Sequence, residues 1–510
     1  MKKLTISACA LLLAGVAPFL GACNDSTPQP GVRFFYKMDK LDPAALDSSD
    51  QTMEQPVAEE ENIEEYVKRY DANAASRQAR PTVAARPAAP KPAAPKLDPP
   101  LASAEDIAAA KARVEELRGK CVTAKNGAIT GITVDSDQTT LEDMKLFGRL
   151  ADLESFFFLG STFTDEMLQE LKDLKKVKSA TVQNADITVE TLKMFATYPE
   201  LQTLDIRRDL KIENGDLAVI AEFPKLERLN AYYNSFTNSG VNKISKSQTL
   251  KVVDLRGCAD ISDSAAKYLA RMPELEEVYF RFGVSDDGVK NLAAAPKLKF
   301  VEFQDCDITN ACVESLAEFP ALKGLRVFRS KGFTNEGIQA LASLKLERLE
   351  LRDLSASDEG VAALQAMDSL REVELSEMAI STEALNALFT SPNWANVETL
   401  NLFAVPVTDD NVAAIANNMK NLKNLRVRAS GGKNSDATID SITKIDSLVS
   451  LDIRENTGIS AAAFMKLASM KNLRKIYVKD TKFGESGDDV VKMREEFKKQ
   501  NPKCQIVTEG

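Results

Sequence analysis

The sequence predicts an α/β solenoid of parallel strands and short helices, and three observations predict it. Some fourteen units of about 24 residues run head to tail from Leu153 to about Lys503. Each opens on the spacing L-x-x-L-x-L. It is clearest at Leu250, Val253, Leu255 and at Leu298, Val301, Phe303, and recurs at Leu346, Leu349, Leu351, at Leu422, Leu425, Val427 and at Leu448, Leu451, Ile453. A few residues later come a Ser or Thr, then Asp or Asn, a small residue, and apolar residues at helical spacing. One such unit cannot bury its apolar face alone, so it must stack on its neighbours. Stacking gives a long surface and no central pocket, a shape suited to binding before catalysis.

Taken in order, the chain begins with Lys2 and Lys3 and an apolar stretch from about Ile6 to Leu20. That stretch is too short and wrongly flanked for a stable transmembrane helix, and residues 1–22 read as a secretory signal. It ends in Leu20-Gly21-Ala22-Cys23, which resembles a bacterial lipobox. The resemblance implies cleavage before Cys23 and lipidation of that cysteine with a diacylglycerol, often joined by a third acyl chain. Each buried CH₂ contributes about 0.8 kcal/mol and stable anchoring takes more than one chain. The mature protein is therefore expected in the cell envelope, anchored to a membrane without spanning it, with its repeats in the periplasm or at the cell surface. In the resembled class an Asp after the cysteine can retain the protein at the inner membrane; Asn24 favours an outer membrane where there is one.

Residues 23–102 read as a tether. The acidic run 54–66 reads as solvated chain, and the Pro/Ala-rich tract 80–100 favours extended conformations of about 3.1 Å per residue. An isolated aromatic cluster stands at 33–37. Residues 103–152 read as an N-terminal cap. Ser103 caps a helix with Glu105 and Asp106 in its first turn, Ile107, Val114 and Leu117 on its apolar side, and Gly119 at its end. A hairpin around Asn126-Gly127 and a first degenerate repeat follow. The repeat domain occupies 153–510, and the segment 501–510 reads as a last strand closing the stack. Caps are needed because an open solenoid end exposes apolar surface and a strand edge.

Within a unit, the fourth and sixth positions of L-x-x-L-x-L share one face of a strand and the fifth points the other way. Neighbouring strands stack in parallel about 4.8 Å apart. After the strand, Ile308-Thr309-Asn310, Phe333-Thr334-Asn335, Val407-Thr408-Asp409 and Val284-Ser285-Asp286 read as N-capped helix starts. Small residues follow at Gly240, Gly288, Gly337 and Gly360, then apolar positions such as Val361, Leu364 and Met367. This pattern resembles bacterial leucine-rich repeats across about three quarters of the chain. The resemblance implies a right-handed, curved solenoid with strands on the concave side and helices on the convex side. It implies a scaffold more than an activity. Three units depart from the pattern: Ala180 stands at a large apolar position, 428–442 distorts a turn, and 389–396 lengthens a convex segment and holds Trp394, the chain's one tryptophan.

Composition narrows the chemistry. Net charge is −10 and pI about 5.1, which gives no footing for a nucleic-acid partner. There is no histidine, which removes Ser-His-Asp and Cys-His catalysis and the commonest metal ligand. Of seven cysteines, Cys9 leaves with the signal and Cys23 is the lipid site, leaving Cys121, Cys258, Cys306, Cys312 and Cys504. Cys258 and Cys306 stand three residues after the last strand position, where Asn234 and Asn456 stand in other units. In the resembled family this site turns inward to bond neighbouring backbone. The two cysteines are two repeats apart, about 10 Å, too far for a disulfide. Cys312 sits at the small-residue site. No metal or cofactor is expected, and the chain reads as a monomer.

The fifth strand position is expected to line the concave face, from Asp205, Asn230, Asp254, Tyr279, Glu302 and Arg326 onward; the seventh carries Arg207, Tyr232, Arg256, Arg281, Phe328, Arg352 and Phe403. One row is mainly acidic and its neighbour mainly Arg with aromatics, residue types enriched at protein interfaces. Tyr232, Tyr233, Arg256, Tyr279, Arg281 and Phe282, with Arg352 further along, are the candidate contact residues for a protein or peptide partner. Two other readings stay open: a carbohydrate or cell-wall binder with aromatics stacked on sugar rings, and a carboxylate-dependent hydrolase, which needs two carboxyl groups about 5–10 Å apart. Pairs such as Arg256 with Asp254 can also simply neutralise one another and support the sheet.

Overall fold

The computed structural model describes residues 100–509. The expected signal segment, the expected lipid site Cys23 and the expected tether as far as residue 99 lie outside the described residues. Among the described residues no helix is long and apolar enough to cross a membrane.

A helix spans Ala104–Glu116, and the Ser103 hydroxyl accepts the Asp106 N–H. Its end differs in detail from the sequence expectation. The left-handed residue is Arg118 (φ 58°), not Gly119. The N–H groups of Arg118 and Gly119 close on the Glu115 and Val114 carbonyls at 2.9 and 2.8 Å, a Schellman closure. Glycine is needed one residue later for a different reason: a Cβ on Gly119 would lie 2.3 Å from the Thr133 carbonyl oxygen.

Strands β1 (Lys120–Thr123) and β2 (Ile129–Val134) form an antiparallel hairpin, with Gly127 at φ 91° in its turn. From β2 onward every pairing is parallel and joins consecutive strands. The repeat strands run from β3 (Ser155–Leu159) to β16 (Lys475–Tyr477), fourteen in all, and β17 (Gln505–Val507) closes the sheet. Register keeps equivalent repeat positions opposite one another: Leu325 meets Val301 on one side and Leu349 on the other. A one-residue slip would turn the whole apolar row outward, so burial fixes the register. Leu255 and Leu351 are fully packed, at 1% and 0% exposure. Ala180 keeps the register; its strand partner Phe156 packs on Phe195 with ring centroids 5.8 Å apart. Trp394 is buried on the helical side, where its indole N–H donates to the Leu364 carbonyl at 2.9 Å.

A polar seam on the helical side joins the repeats, and its direction was not legible in the sequence. The Asp or Asn after each Ser/Thr cap stands by sequence in the first turn of its own helix. Its main bonds instead cross to the next repeat. Asp286 accepts the Thr309 N–H at 2.8 Å and its hydroxyl at 2.6 Å. Asn310 accepts the N–H groups of Thr334 and Gly337 at 2.8 and 3.0 Å. Asn214 does the same for Thr237 and Gly240 at 2.9 and 3.1 Å. This explains the small residue in the motif. A Cβ at Gly240, Gly288 or Gly337 would lie 2.4–2.5 Å from the accepting side-chain oxygen of the preceding repeat. Where threonine replaces that glycine, at Thr191 and Thr438, its hydroxyl donates to the same acceptors, Asp165 and Asp409. One unit departs from the expected helix starts: Thr309 bridges to Gly332, Asn310 and Ala311 form a turn, and the helix begins at Cys312.

Candidate interaction face

The fifth strand position faces the concave side, but much of it is shielded. Asp205, Asp254, Tyr279 and Glu302 are each 1–2% exposed. The cover comes from seventh-position arginines that fold back onto their own strand. The Arg207 Nε donates to Asp205 at 2.6 Å. Arg256 binds Asp254 through Nε and Nη2 and reaches Glu302 through Nη1 at 3.2 Å. Arg454 grips Asp452 at 2.9–3.0 Å. Parallel strands put identical positions side by side, so a row of acids would repel unless cations lay over it. The face is thus largely neutralised from within. Burial pushes the Asp205 and Glu374 carboxyls up against their arginine neighbours. At Asp305 burial also raises, but Arg329 and Arg281 outweigh it and hold the carboxyl below its usual range.

The exposed aromatic surface comes from another row. The residue two positions beyond the sixth has positive φ in repeat after repeat: Asn184, Arg208, Tyr233, Gly257, Phe282, Asp305, Arg329 and on to Asp480. Tyr233 (φ 60°) and Phe282 (φ 68°) are the bulky aromatics in it, each 37% exposed. Non-glycine residues are uncommon in this conformation, and bulky ones more so. Arg281 ties the two together. Its Nη1 donates to the Tyr233 hydroxyl at 3.0 Å, its Nε to Asp305 at 2.8 Å, and its guanidinium carbon lies 4.6 Å from the Phe282 ring centre. Arg208 also stacks on Tyr233, at 4.7 Å. The Tyr233 ring lies over Gly257, where a Cβ would come within 2.4 Å of it.

Comparison with known proteins adds a family match to one of the repeat units. The leucine-rich repeat family model matches residues 246–270, the unit built around β7 (Val252–Asp254). The same register extends over all fourteen repeat strands. The fold is a leucine-rich-repeat solenoid. Similar solved structures include a chain of the Rad7–Elc1 complex from yeast, at 14% identity and TM-score 0.44, covering 88% of this chain and 96% of that one. An internalin, InlF, from Listeria monocytogenes is similar at 14% identity and TM-score 0.36, covering 79% and 94%. No curated protein matches the chain.

The leucine-rich-repeat frame places the remaining candidate residues. Tyr232 is partly exposed and sandwiched by Arg207 at 4.4 Å and Arg256 at 5.6 Å. Tyr279 is buried; its hydroxyl donates to Glu277 at 2.9 Å and its ring packs on Phe300. So Tyr232, Tyr233, Arg256, Arg281 and Phe282 share one surface region, with Tyr279 beneath it. Arg352 belongs elsewhere. It lies on β11 (Arg348–Arg352), between Phe328 at 4.6 Å and Phe403 at 5.6 Å, and binds Glu377 at 2.7 Å. The left-handed row lies one residue beyond the seventh position, outside the strand alternation that the fifth and seventh positions follow. Its trace in the sequence is the recurrence of Asn, Asp and Gly two residues after the sixth position, residue types that tolerate positive φ.

The ladder residues turn inward behind the strands. Asn234 donates to the Ile206 and Ala231 carbonyls at 2.6 and 2.9 Å, and Asn456 to those of Val427 and Ile453 at 2.6 and 3.0 Å. The Cys258 and Cys306 thiols donate to the Ala231 and Gln304 carbonyls, both at 3.3 Å. All five described cysteines are free. Burial pushes the Cys258 and Cys312 thiols up to about 12 and Cys504 to about 11, far from thiolate chemistry at neutral pH.

Proposed function

We propose that the chain is a non-enzymatic, lipid-anchored protein of the cell envelope that holds a protein or peptide partner against the concave side of its solenoid. The contact centres on Tyr233, Arg281 and Phe282. One observation carries this: two aromatic rings stand exposed in a strained backbone conformation, braced by arginines, on a face otherwise neutralised from within. Planar side chains held rigidly give contact area with little rotamer entropy to lose. The backbone conformation recurs along the whole row; what sets these two repeats apart is the exposed aromatic ring each carries there. Leucine-rich-repeat solenoids present extended surfaces of this kind, and the Cys23 motif supplies the anchor.

A photo-crosslinking residue at Phe282 tests the contact, with one at the exposed convex position Gln339 as control. The expectation is a discrete protein adduct from Phe282 alone, lost when Tyr233→Ala and Arg281→Ala are added. Adducts from Gln339 alone would move the site to the helical side. Binding of the purified repeats to cell-wall glycans, lost in the same variants, would favour the carbohydrate reading. For the anchor, Cys23→Ala should abolish incorporation of labelled fatty acid; a wild-type protein that takes up none sinks that part of the proposal.

A further inference from the structure

We infer that Asp209 is held as a neutral carboxylic acid in the ladder behind β5 (Thr203–Arg207), making this joint of the solenoid sensitive to alkalinity. Asparagines define what the position requires. The Asn234 Oδ1 accepts the N–H of the preceding ladder residue, Asp209, at 2.9 Å, while its Nδ2 donates to two strand-end carbonyls. The Asn456 Nδ2 makes the equivalent pair of bonds. Asp209 takes the same place one repeat before Asn234, and its Oδ1 likewise accepts the Ala185 N–H at 2.8 Å. Its Oδ2 therefore stands where the asparagines carry a donor. The residue is 0% exposed, and Oδ2 has no hydrogen-bond partner.

By ladder equivalence Oδ2 faces the carbonyls of Val182 and Ile206, the second of which already accepts the Asn234 Nδ2 at 2.6 Å. An ionised oxygen there meets acceptors; a protonated one supplies the hydrogen that the asparagine NH₂ supplies elsewhere. The charged groups around it do not rescue the ion. On its own repeat Arg207 is spent on Asp205, Arg208 stacks on Tyr233, and Lys211 pairs with Asp186 of the preceding repeat. From the following repeats, Asp254 is held by Arg256, and Tyr232 lies between Arg207 and Arg256. Burial raises the Asp209 carboxyl to about 8, against the Ala185 bond and with Asp205 adding to the rise.

The sign follows. The folded pKa lies above the unfolded value of about 3.9, so folding holds a proton that the unfolded chain releases. This contribution is complete below about pH 4, declines as pH rises, and is lost as pH passes through about 8. Asp209 lies between Arg208 and the exposed Leu210, so loosening would be felt at the edge of the aromatic patch.

The test compares wild type with Asp209→Asn, which restores the ladder donor. Difference infrared spectra at about pH 6 should show a protonated-carboxyl C=O band in wild type only, fading above about pH 8. The variant's denaturation midpoint should exceed wild type by a margin that widens from about pH 4 to about pH 9. Absence of the band, or a variant less stable than wild type at about pH 9, overturns the inference. So does an Asn variant that fails to fold, because it carries the group that the neutral acid replaces.

Discussion

Two polar seams run the length of the solenoid, and the same residue type behaves oppositely in them. On the helical side, Asp165, Asp409 and Asp436 point at hydrogen-bond donors of the next repeat. At Asp165 and Asp409 burial raises the carboxyl, but the N–H and O–H groups of Thr188, Thr191, Ser435 and Thr438 outweigh it. At Asp436 the Ser460 N–H and hydroxyl dominate, and all three carboxyls sit below their usual range. Behind the strands, Asp209 keeps one oxygen without a donor and is pushed up to about 8. Burial alone does not decide the charge of a carboxyl. Between these two seams the difference lies in the donors aimed at it, which outweigh burial on the helical side and fall short of it at Asp209.

The strongest way to separate the seams from the scaffold is to damage the core between them. Leu255→Ala or Leu351→Ala should cost about 2–5 kcal/mol, since both leucines are fully buried. The loss should not vary with pH. Urea titrations at about pH 5 and about pH 8 would show it; unchanged stability in both variants would mean that these side chains are not where the register puts them.

A smaller loss is expected from a single seam residue. Asn310→Ala removes the acceptor for two N–H groups and the donor to the Thr334 hydroxyl, which lies 2.9 Å away. Those groups are partly reachable by water, so the cost should be about 1–2 kcal/mol. Asn310→Asp should recover most of it, because Asp286 already serves the neighbouring repeat in that role. A calorimetric series in which the two variants unfold together would show that the seam bonds contribute nothing.

Acid probes the contrast directly. The helical-seam aspartates have folded pKa values below the unfolded one, so their stabilisation is present above about pH 4 and lost as pH falls through the folded values. Asp209 contributes with the opposite sign and the opposite window. Asp165→Asn should therefore flatten the acid side of the stability profile and leave the alkaline side unchanged. Thermal melts from about pH 2 to about pH 9 would reveal an error if Asp165→Asn altered the alkaline side.

The scaffold was legible because a spacing repeated over fourteen units cannot be a local accident. Leu255 and Leu351 were readable as core residues, and Ser103 as a cap. Two features escaped for physical reasons. The target of each seam Asp or Asn is 22–29 residues away, one repeat on, so local helix logic assigns it to the wrong helix. The exposure of Tyr279 was misjudged because side-chain alternation along a strand gives direction, not depth. Tyr279 points to the concave side, yet Arg256 lies across its ring at 5.3 Å and leaves it 2% exposed.

The smallest expected effect lies outside both seams, at Tyr233, and tests whether the exposed rim contributes to stability at all. Tyr233→Gly removes a bulky residue from positive φ, which favours the fold by about 1–2 kcal/mol. Against this stand the lost contacts with Arg208 and Arg281, each worth about 0.5–1 kcal/mol at an exposed site, and the greater chain entropy that glycine brings to the unfolded state, about 0.5–1 kcal/mol. The terms nearly offset, leaving a net loss of about 0.5–1 kcal/mol. Tyr233→Asn, which tolerates the same backbone, should be equally mild. A drop of several degrees in both variants would make the ring a structural member like the seam residues, and its exposure incidental. A loss that small means that the fold gains little from holding an aromatic ring in a strained conformation in water. The ring's use must then lie in what it touches outside the chain.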